Sequence, residues 1–185
     1  MKRPLEMAHD FLAQVITKDD VVVDATMGNG HDTLFLAKLA KQVYAFDIQE
    51  LALEKTSQRL QEAGLTNVEL LLQGHENVDQ FATEVKAAIF NLGYLPSADK
   101  SIITKPHTTI EALEKLCQML VKGGRIAIMI YYGHEGGDIE RDAVMDYVSQ
   151  LPQQEYTATI YRTLNQINNP PFLVMIEKLE RYRHG

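Results

Sequence analysis

The chain is poor in the residues that build covalent or metal frameworks. Its 185 residues include a single cysteine, Cys117. One thiol excludes an internal disulfide network and any multi-cysteine metal centre. Its place in a helical apolar pattern marks it as a buried structural thiol. The six histidines are scattered, and no two stand four apart beside an acid as a helix-borne zinc site requires. No metal is expected. No apolar run reaches the roughly 18–20 residues that cross a bilayer. The N-terminal segment has basic residues at Lys2 and Arg3 but no long apolar core and no small-residue cleavage site. It reads as an amphipathic helix over about residues 4–17, with Leu5, Ala8, Leu12, Val15 and Ile16 on one face, and not as a signal peptide. Positive charge is scarce too: 18 Lys and Arg against 25 Asp and Glu give a net charge of −7. That excludes a surface coated for nucleic acid, though a local basic patch with a short electrostatic footprint remains compatible. Repeats, low-complexity tracts and linkers are absent. With 45% hydrophobic residues, the chain is expected to form one domain over residues 1–185, at home in the cytoplasm.

What is present is concentrated in residues 21–33, VVVDATMGNGHDT. Three β-branched residues run into Asp24, a turn Gly28-Asn29-Gly30 follows, and a helical pattern begins near Asp32. Strand, glycine turn and helix form the nucleotide-approach unit of an α/β sheet. Glycines admit positive φ and let a ligand lie against the backbone, facing the free N–H groups of the first helical turn. A dinucleotide fingerprint would place a third glycine where Thr33 stands, which counts against a nicotinamide dehydrogenase. Two acids end successive apolar runs instead: Asp24, and Asp47 after Val43-Tyr44-Ala45-Phe46. A carboxylate accepts two hydrogen bonds at once and suits a pair of ribose hydroxyls. An ordinary strand–turn–helix junction with a capping Asp is the plainer alternative.

Further along, strands and helices alternate. The patterns predict strands near 67–72, 87–90 and 125–132, and helices near 49–63, 78–83, 108–120 and 138–149. Gly64 is expected to stop the second of the sheet-flanking helices, and Gly123-Gly124 the one before strand five. Two final strands, 156–164 and 172–179, are joined by NQINNPP, in which Pro170-Pro171 is cis-capable. The alternation implies a parallel sheet covered on both faces, with ligands beyond the carboxyl ends of its strands. Those ends carry Asn29, His31 and Asp32; then Asp47, Ile48 and Gln49; then Gly74, His75 and Glu76; then Asn91-Leu92-Gly93-Tyr94; then Tyr131, Tyr132 and His134.

Asp24…Gly28-x-Gly30…Asp47 resembles the nucleoside-binding signature of class I S-adenosylmethionine (AdoMet) methyltransferases. The resemblance implies a three-layer, Rossmann-like α/β fold with a seven-stranded, mostly parallel sheet in the order 3-2-1-4-5-7-6. It implies AdoMet as cofactor, with the glycine turn around its methionine part and Asp47 on the ribose. Asn91-Leu92-Gly93-Tyr94 stands where amino-group methyltransferases of this class carry (Asn/Asp)-Pro-Pro-aromatic. There, carbonyls accept hydrogen bonds from the target amine and the aromatic ring stacks on the base. Leu92-Gly93 departs from Pro-Pro, and a strand-end turn capped by Asn91 is the alternative.

Across nearly its whole length the chain is similar to a compact bacterial family labelled putative rRNA methylases, through VVDATMGNGHDT, HENV, FNLGYLPSADKSI, TTIEAL, IYYGHEGG and NQINNPP. Members are assigned as tRNA methyltransferases of the wobble uridine. The resemblance therefore implies N-methylation of the 5-aminomethyl group of 2-thiouridine in the anticodon loop, and makes a homodimer plausible. The cofactor residues it implies are Gly28, Asn29, Gly30, Asp32, Asp47, Ile48, Gln49, Gly74, His75 and Asn91. Asn91 and Tyr94 are the expected catalytic pair. His75 is placed at the adenine edge, although capping the next helix would also explain it. Lys100 and Lys105 in the loop 97–106, the adjacent His107, and then Arg141 and Arg162 are candidates for RNA phosphates. Ribosomal RNA, a small amine, or nucleotide binding without catalysis are the competing readings.

Overall fold

The computed structural model describes residues 1–93 and 105–181. In chain order these form α1 (Pro4–Ala13), β1 (Val21–Asp24), α2 (His31–Leu39), β2 (Gln42–Asp47), α3 (Glu50–Ala63), β3 (Val68–Leu72), a 3₁₀ helix (His75–Gln80), β4 (Val85–Leu92), α4 (Pro106–Met119), β5 (Leu120–Ile130), α5 (Gly137–Ser149), β6 (Tyr156–Tyr161) and β7 (Phe172–Lys178). The sheet order is β3-β2-β1-β4-β5-β7-β6, as expected. The first five strands are parallel, and β7 runs antiparallel between β5 and β6.

Alternation along the strands splits the core in two. Val23, Phe46, Ala88, Phe90, Ile126 and Ile128 face α4 and α5. Val22, Val43, Ala87, Ile89, Ala127 and Met129 face α1, α2 and α3. Both faces are covered, which is why β4 and β5 read as almost unbroken apolar runs. β1 lies between β2 and β4, so the glycine turn leaves the sheet at its centre.

Three expectations are corrected. Helix α1 ends at Ala13, not near residue 17. Arg125 explains the early stop: its guanidinium donates to the Phe11 carbonyl and to Gln14 Oε1, each at 2.7 Å, and lies over the Phe11 ring. The carbonyl that would continue the helix is taken, and Val15 N–H turns to Leu12 instead. Secondly, Gly123-Gly124 does not end α4 but lies inside β5. Between Val85–Leu120 and Ala87–Arg125 the pairing slips, so the strand bulges. A Cβ on Gly124 would stand 2.9 Å from the Lys86 carbonyl. Thirdly, the helix expected over 78–83 is a 3₁₀ helix that starts at His75. The described Pro170-Pro171 bonds are trans. No described helix is long and apolar enough to cross a membrane.

Candidate active site

A cleft of about 550 Å³ opens beyond the carboxyl ends of β1 to β4. Its floor is the glycine turn. Ala25 N–H donates to the Ile89 carbonyl (2.9 Å) and Met27 N–H to the Phe46 carbonyl (2.8 Å), so the chain stays pinned to both neighbouring strands after β1 ends. Gly30 N–H closes the turn onto the Met27 carbonyl at 3.0 Å. Arg59 of α3 donates to the Asn29 carbonyl at 2.6 Å. Gly30 has φ +88°, and a Cβ there would stand 2.9 Å from Thr56 Cα. That glycine is therefore required twice, by the turn and by the closeness of α3.

Asp24 does not line the cleft; it is fully buried beneath the turn. It accepts from Thr26 N–H (3.1 Å) and from the Thr33 hydroxyl (2.6 Å). Thr33, the residue that breaks the dinucleotide pattern, thus ties the start of α2 to the end of β1. Burial, reinforced by the neighbouring Asp32, pushes the Asp24 carboxyl well above the usual range.

Asp47 does line the cleft. Its Oδ2 accepts from Gly28 N–H (3.1 Å) and its Oδ1 from Gln49 N–H (2.9 Å). Each oxygen has further lone pairs, so the carboxylate is oriented by backbone while keeping acceptor capacity. Burial raises its pKa, and the backbone donors partly offset this. Ile48 and Gln49 flank it, and Ile48 is partly exposed, at 41%.

His75 opens the 3₁₀ helix just after Gly74. Its Nδ1 lies 3.0 Å from the Ala25 carbonyl, which only accepts, so Nδ1 carries the proton. Burial lowers the pKa and keeps the ring neutral. Nε2 is then a bare acceptor, buried and without a protein partner. It is an acceptor available to a donor in the cleft.

On the opposite wall, at the end of β4, Asn91 N–H donates to the Thr26 hydroxyl at 2.6 Å. Its side-chain Nδ2 donates to Asp32 Oδ2. Asp32 is only 7% exposed, and its Oδ1 meets His9 Nε2 at 2.6 Å. Asp32 therefore lines the cleft as a bridge between Asn91 and α1. Gly93 follows with φ +81°, packed against the Tyr131 carbonyl and the His134 ring. Proline, held near −65°, cannot take that conformation, which accounts for Gly93 in place of the second proline. Tyr94 and Lys100 lie outside the described residues. Lys105, His107 and Tyr131 line the cleft. Arg141 does not; it lies 4.8 Å over the Tyr132 ring and pairs with Asp142. Arg162 is exposed in the β6–β7 connection.

Four participants escaped the sequence reading: His9, Thr26, Arg59 and Leu5, the last a cleft-lining residue one helical turn before His9. A polar His9 on the otherwise apolar face of α1 was the available signal for one of them. Among the described residues, no three His, Cys, Asp or Glu side chains gather as a metal site.

AdoMet fits this cleft on internal grounds: an oriented carboxylate for a diol, an orphan acceptor at His75, and a backbone turn open to ligand. The family described as Putative rRNA methylase matches residues 43–177. A relative from Arabidopsis thaliana, "tRNA (mnm(5)s(2)U34)-methyltransferase, chloroplastic", is 37% identical over 192 residues, covering 96% of this chain and 70% of the relative. A structure described as a putative methyltransferase from Streptococcus mutans in complex with SAH shares 57% identity and a TM-score of 0.92, over 97% of this chain and 99% of that one. A putative rRNA-methylase from Clostridium thermocellum shares 43% identity and a TM-score of 0.93 over the same fractions. The chain belongs to the Putative rRNA methylase family and is an AdoMet-dependent methyltransferase.

Proposed function

We propose that the enzyme methylates tRNA, converting the 5-aminomethyl group of wobble 2-thiouridine to its 5-methylaminomethyl form, with residues 1–185 acting as one cytoplasmic domain. The observation that carries this reading is the orientation of Asn91. Because Nδ2 faces Asp32, the side chain presents its carbonyl as an acceptor for another partner. An amine acceptor needs its N–H bonds held by such acceptors so that its lone pair points at the methyl group. The 37% identity to a relative whose name specifies this tRNA reaction supports the same acceptor.

Gly28, Asn29 and Gly30 hold the methionine part of AdoMet in this reading. Asp47 takes the ribose hydroxyls, Ile48 and Gln49 flank the purine, and Gly74 and His75 meet the adenine edge. When bound, AdoMet supplies an electrophilic methyl group. An alkylamine is mostly protonated at neutral pH, so the site must take the neutral amine or remove a proton. Tyr94 is assigned to stacking on the base. An anticodon loop is single-stranded, and its wobble base splays out without breaking a duplex. Lys105 and His107, exposed beside the cleft, suit flanking phosphates.

The test is methyl transfer from labelled AdoMet to tRNA from a strain lacking the enzyme, followed by nucleoside mass analysis. Methylaminomethyl-thiouridine should appear, vanish in Asp47→Ala and fall in Asn91→Ala. Label absent from tRNA but present in ribosomal RNA would shift the assignment to the acceptor that the family's description names.

A further inference from the structure

We propose that His9, on the N-terminal helix, is a positioning residue for methyl transfer: it holds Asp32, and Asp32 holds the Asn91 amide with its carbonyl free for the acceptor. The proposal rests on the reading that Asn91 meets an amine. An asparagine amide has two edges of nearly the same shape but opposite chemistry. Presented to an amine, the NH₂ edge would repel its N–H bonds and the C=O edge would accept them. Something must decide between the two edges.

Asp32 decides. An ionised carboxylate accepts only, so its contact with Asn91 demands the NH₂ edge. The Asn91 backbone is fixed independently, through its N–H bond to the Thr26 hydroxyl. A lone carboxylate can rotate about its last torsion, and this one is almost wholly buried. His9 Nε2, 2.6 Å from Oδ1, removes that freedom. With the carboxylate as acceptor, His9 Nε2 is the donor in this contact.

The histidine is itself held flat. Its ring stacks on Phe35 of α2 with centroids 4.0 Å apart and planes 6° from parallel. Phe35 and Asp32 are three residues apart on one face of α2, so the same helix that carries the carboxylate also sets the ring that orients it. α1 is anchored to the sheet by the Arg125 contacts to Phe11 and Gln14. The chain of contacts His9–Asp32–Asn91 thereby couples three elements, α1, α2 and β4, none of them adjacent in sequence.

Two substitutions separate the donor from the stack. His9→Phe keeps an aromatic ring against Phe35 but removes the hydrogen bond; His9→Gln keeps a donor and loses the ring. In His9→Phe, kcat with tRNA is expected to fall about 10- to 100-fold with AdoMet affinity close to wild type, and the melting temperature to fall by only a few degrees because buried Asp32 loses one partner. His9→Gln is expected to retain kcat within about threefold, because a side-chain donor at Asp32 is the requirement. The KM for tRNA should move little in either. A readout without any acceptor is the side-chain amide resonance of Asn91 in ¹⁵N-labelled protein, identified by its loss in Asn91→Asp. It should shift in His9→Phe and stay near its wild-type position in His9→Gln. An unmoved resonance in His9→Phe would overturn the relay. So would parallel losses of kcat, AdoMet affinity and melting temperature in both variants, the pattern of a merely structural residue. If tRNA proves the wrong acceptor, the resonance still reports on the relay, so the two failures are distinguishable.

Discussion

The two walls of the cleft are built by different means. On the side proposed for the cofactor, backbone groups orient the side chains: Gly28 and Gln49 N–H groups hold Asp47, and the Ala25 carbonyl holds His75. On the side proposed for the methyl acceptor, side chains orient one another: His9 holds Asp32 and Asp32 holds Asn91. Backbone-held groups inherit their precision from the sheet. Side-chain relays inherit theirs from how separate helices pack. Damage to the first wall should therefore read out as lost cofactor binding or lost fold, and damage to the second as lost turnover.

The largest effect is expected at the turn beneath both walls. Gly30→Ala asks an L-residue to take φ +88° and drives a Cβ to within 2.9 Å of Thr56 Cα. That neighbour is backbone and cannot rotate away, so α3 must move, and with it the Arg59 bond to Asn29. Strain and overpacking together should cost about 2–4 kcal/mol. For a chain of this size the melting temperature should drop by roughly 5–15 °C. A melting temperature within about 2 °C of wild type would show that α2 and α3 separate freely, against the close packing seen here.

The next effect isolates the cofactor wall. If Asp47 takes the ribose as proposed, Asp47→Ala removes its acceptor-only group and AdoMet affinity should fall on the order of 100-fold by calorimetry. The pH dependence sharpens this. Protonation replaces an acceptor with a donor, so affinity should fall as pH drops through the Asp47 pKa. Burial raises that pKa, so the fall should begin at a higher pH than for an ordinary aspartate near 3.9. Asp47→Asn should bind weakly with no such slope. Wild-type affinity that stays flat down to about pH 4 would remove Asp47 from the ribose site.

How far these walls were visible beforehand follows the same division. The glycine turn, Asp47 and His75 all sit within a few residues of a strand end, so spacing and the doubly wound pattern exposed them. The sheet order followed from alternation together with a family resemblance. The relay had no such handle. His9 and Asp32 are 23 residues apart, Asp32 and Asn91 59, and nothing local in α1 states which helix it will meet. The early end of α1 was hidden for the same reason, because Arg125 caps it from across the fold. Gly123-Gly124 misled because a glycine pair that commonly ends a helix here serves a bulge, where β5 must pass close to Lys86.

A smaller effect belongs to His75. Replacing it with Phe keeps the ring beside Phe90, which it meets at 5.5 Å, but removes the Nε2 acceptor. AdoMet affinity should weaken about tenfold, the worth of one hydrogen bond to a buried partner. Since burial lowers the His75 pKa, the neutral acceptor should persist below the pH at which an ordinary histidine charges. Affinity of wild type that halves between about pH 7 and 6.5 would instead indicate a ring that titrates as if exposed.

The smallest effect tests whether the carboxyl under the turn needs its charge. Asp24 touches neither wall, but it joins Thr26, which supports Asn91, to Thr33 at the start of α2. Its folded pKa is raised by burial and by Asp32, above the unfolded value near 3.9. The folded state therefore holds the Asp24 proton more tightly than the unfolded state does. Asp24 favours folding below the unfolded pKa, and that contribution is lost as pH rises through the folded one. Asp24→Asn keeps an acceptor for Thr26 N–H and places a donor toward the Thr33 hydroxyl, so it should stay within about 1 kcal/mol of wild type at neutral pH. Asp24→Ala, which strands both partners in a buried site, should cost about 2–3 kcal/mol. Denaturant titrations across pH 4 to 8 separate the possibilities. Wild type should gain on Asp24→Asn as pH falls, whereas an Asn variant that loses several kcal/mol at neutral pH would mean that a charged Asp24 is what the turn is built on.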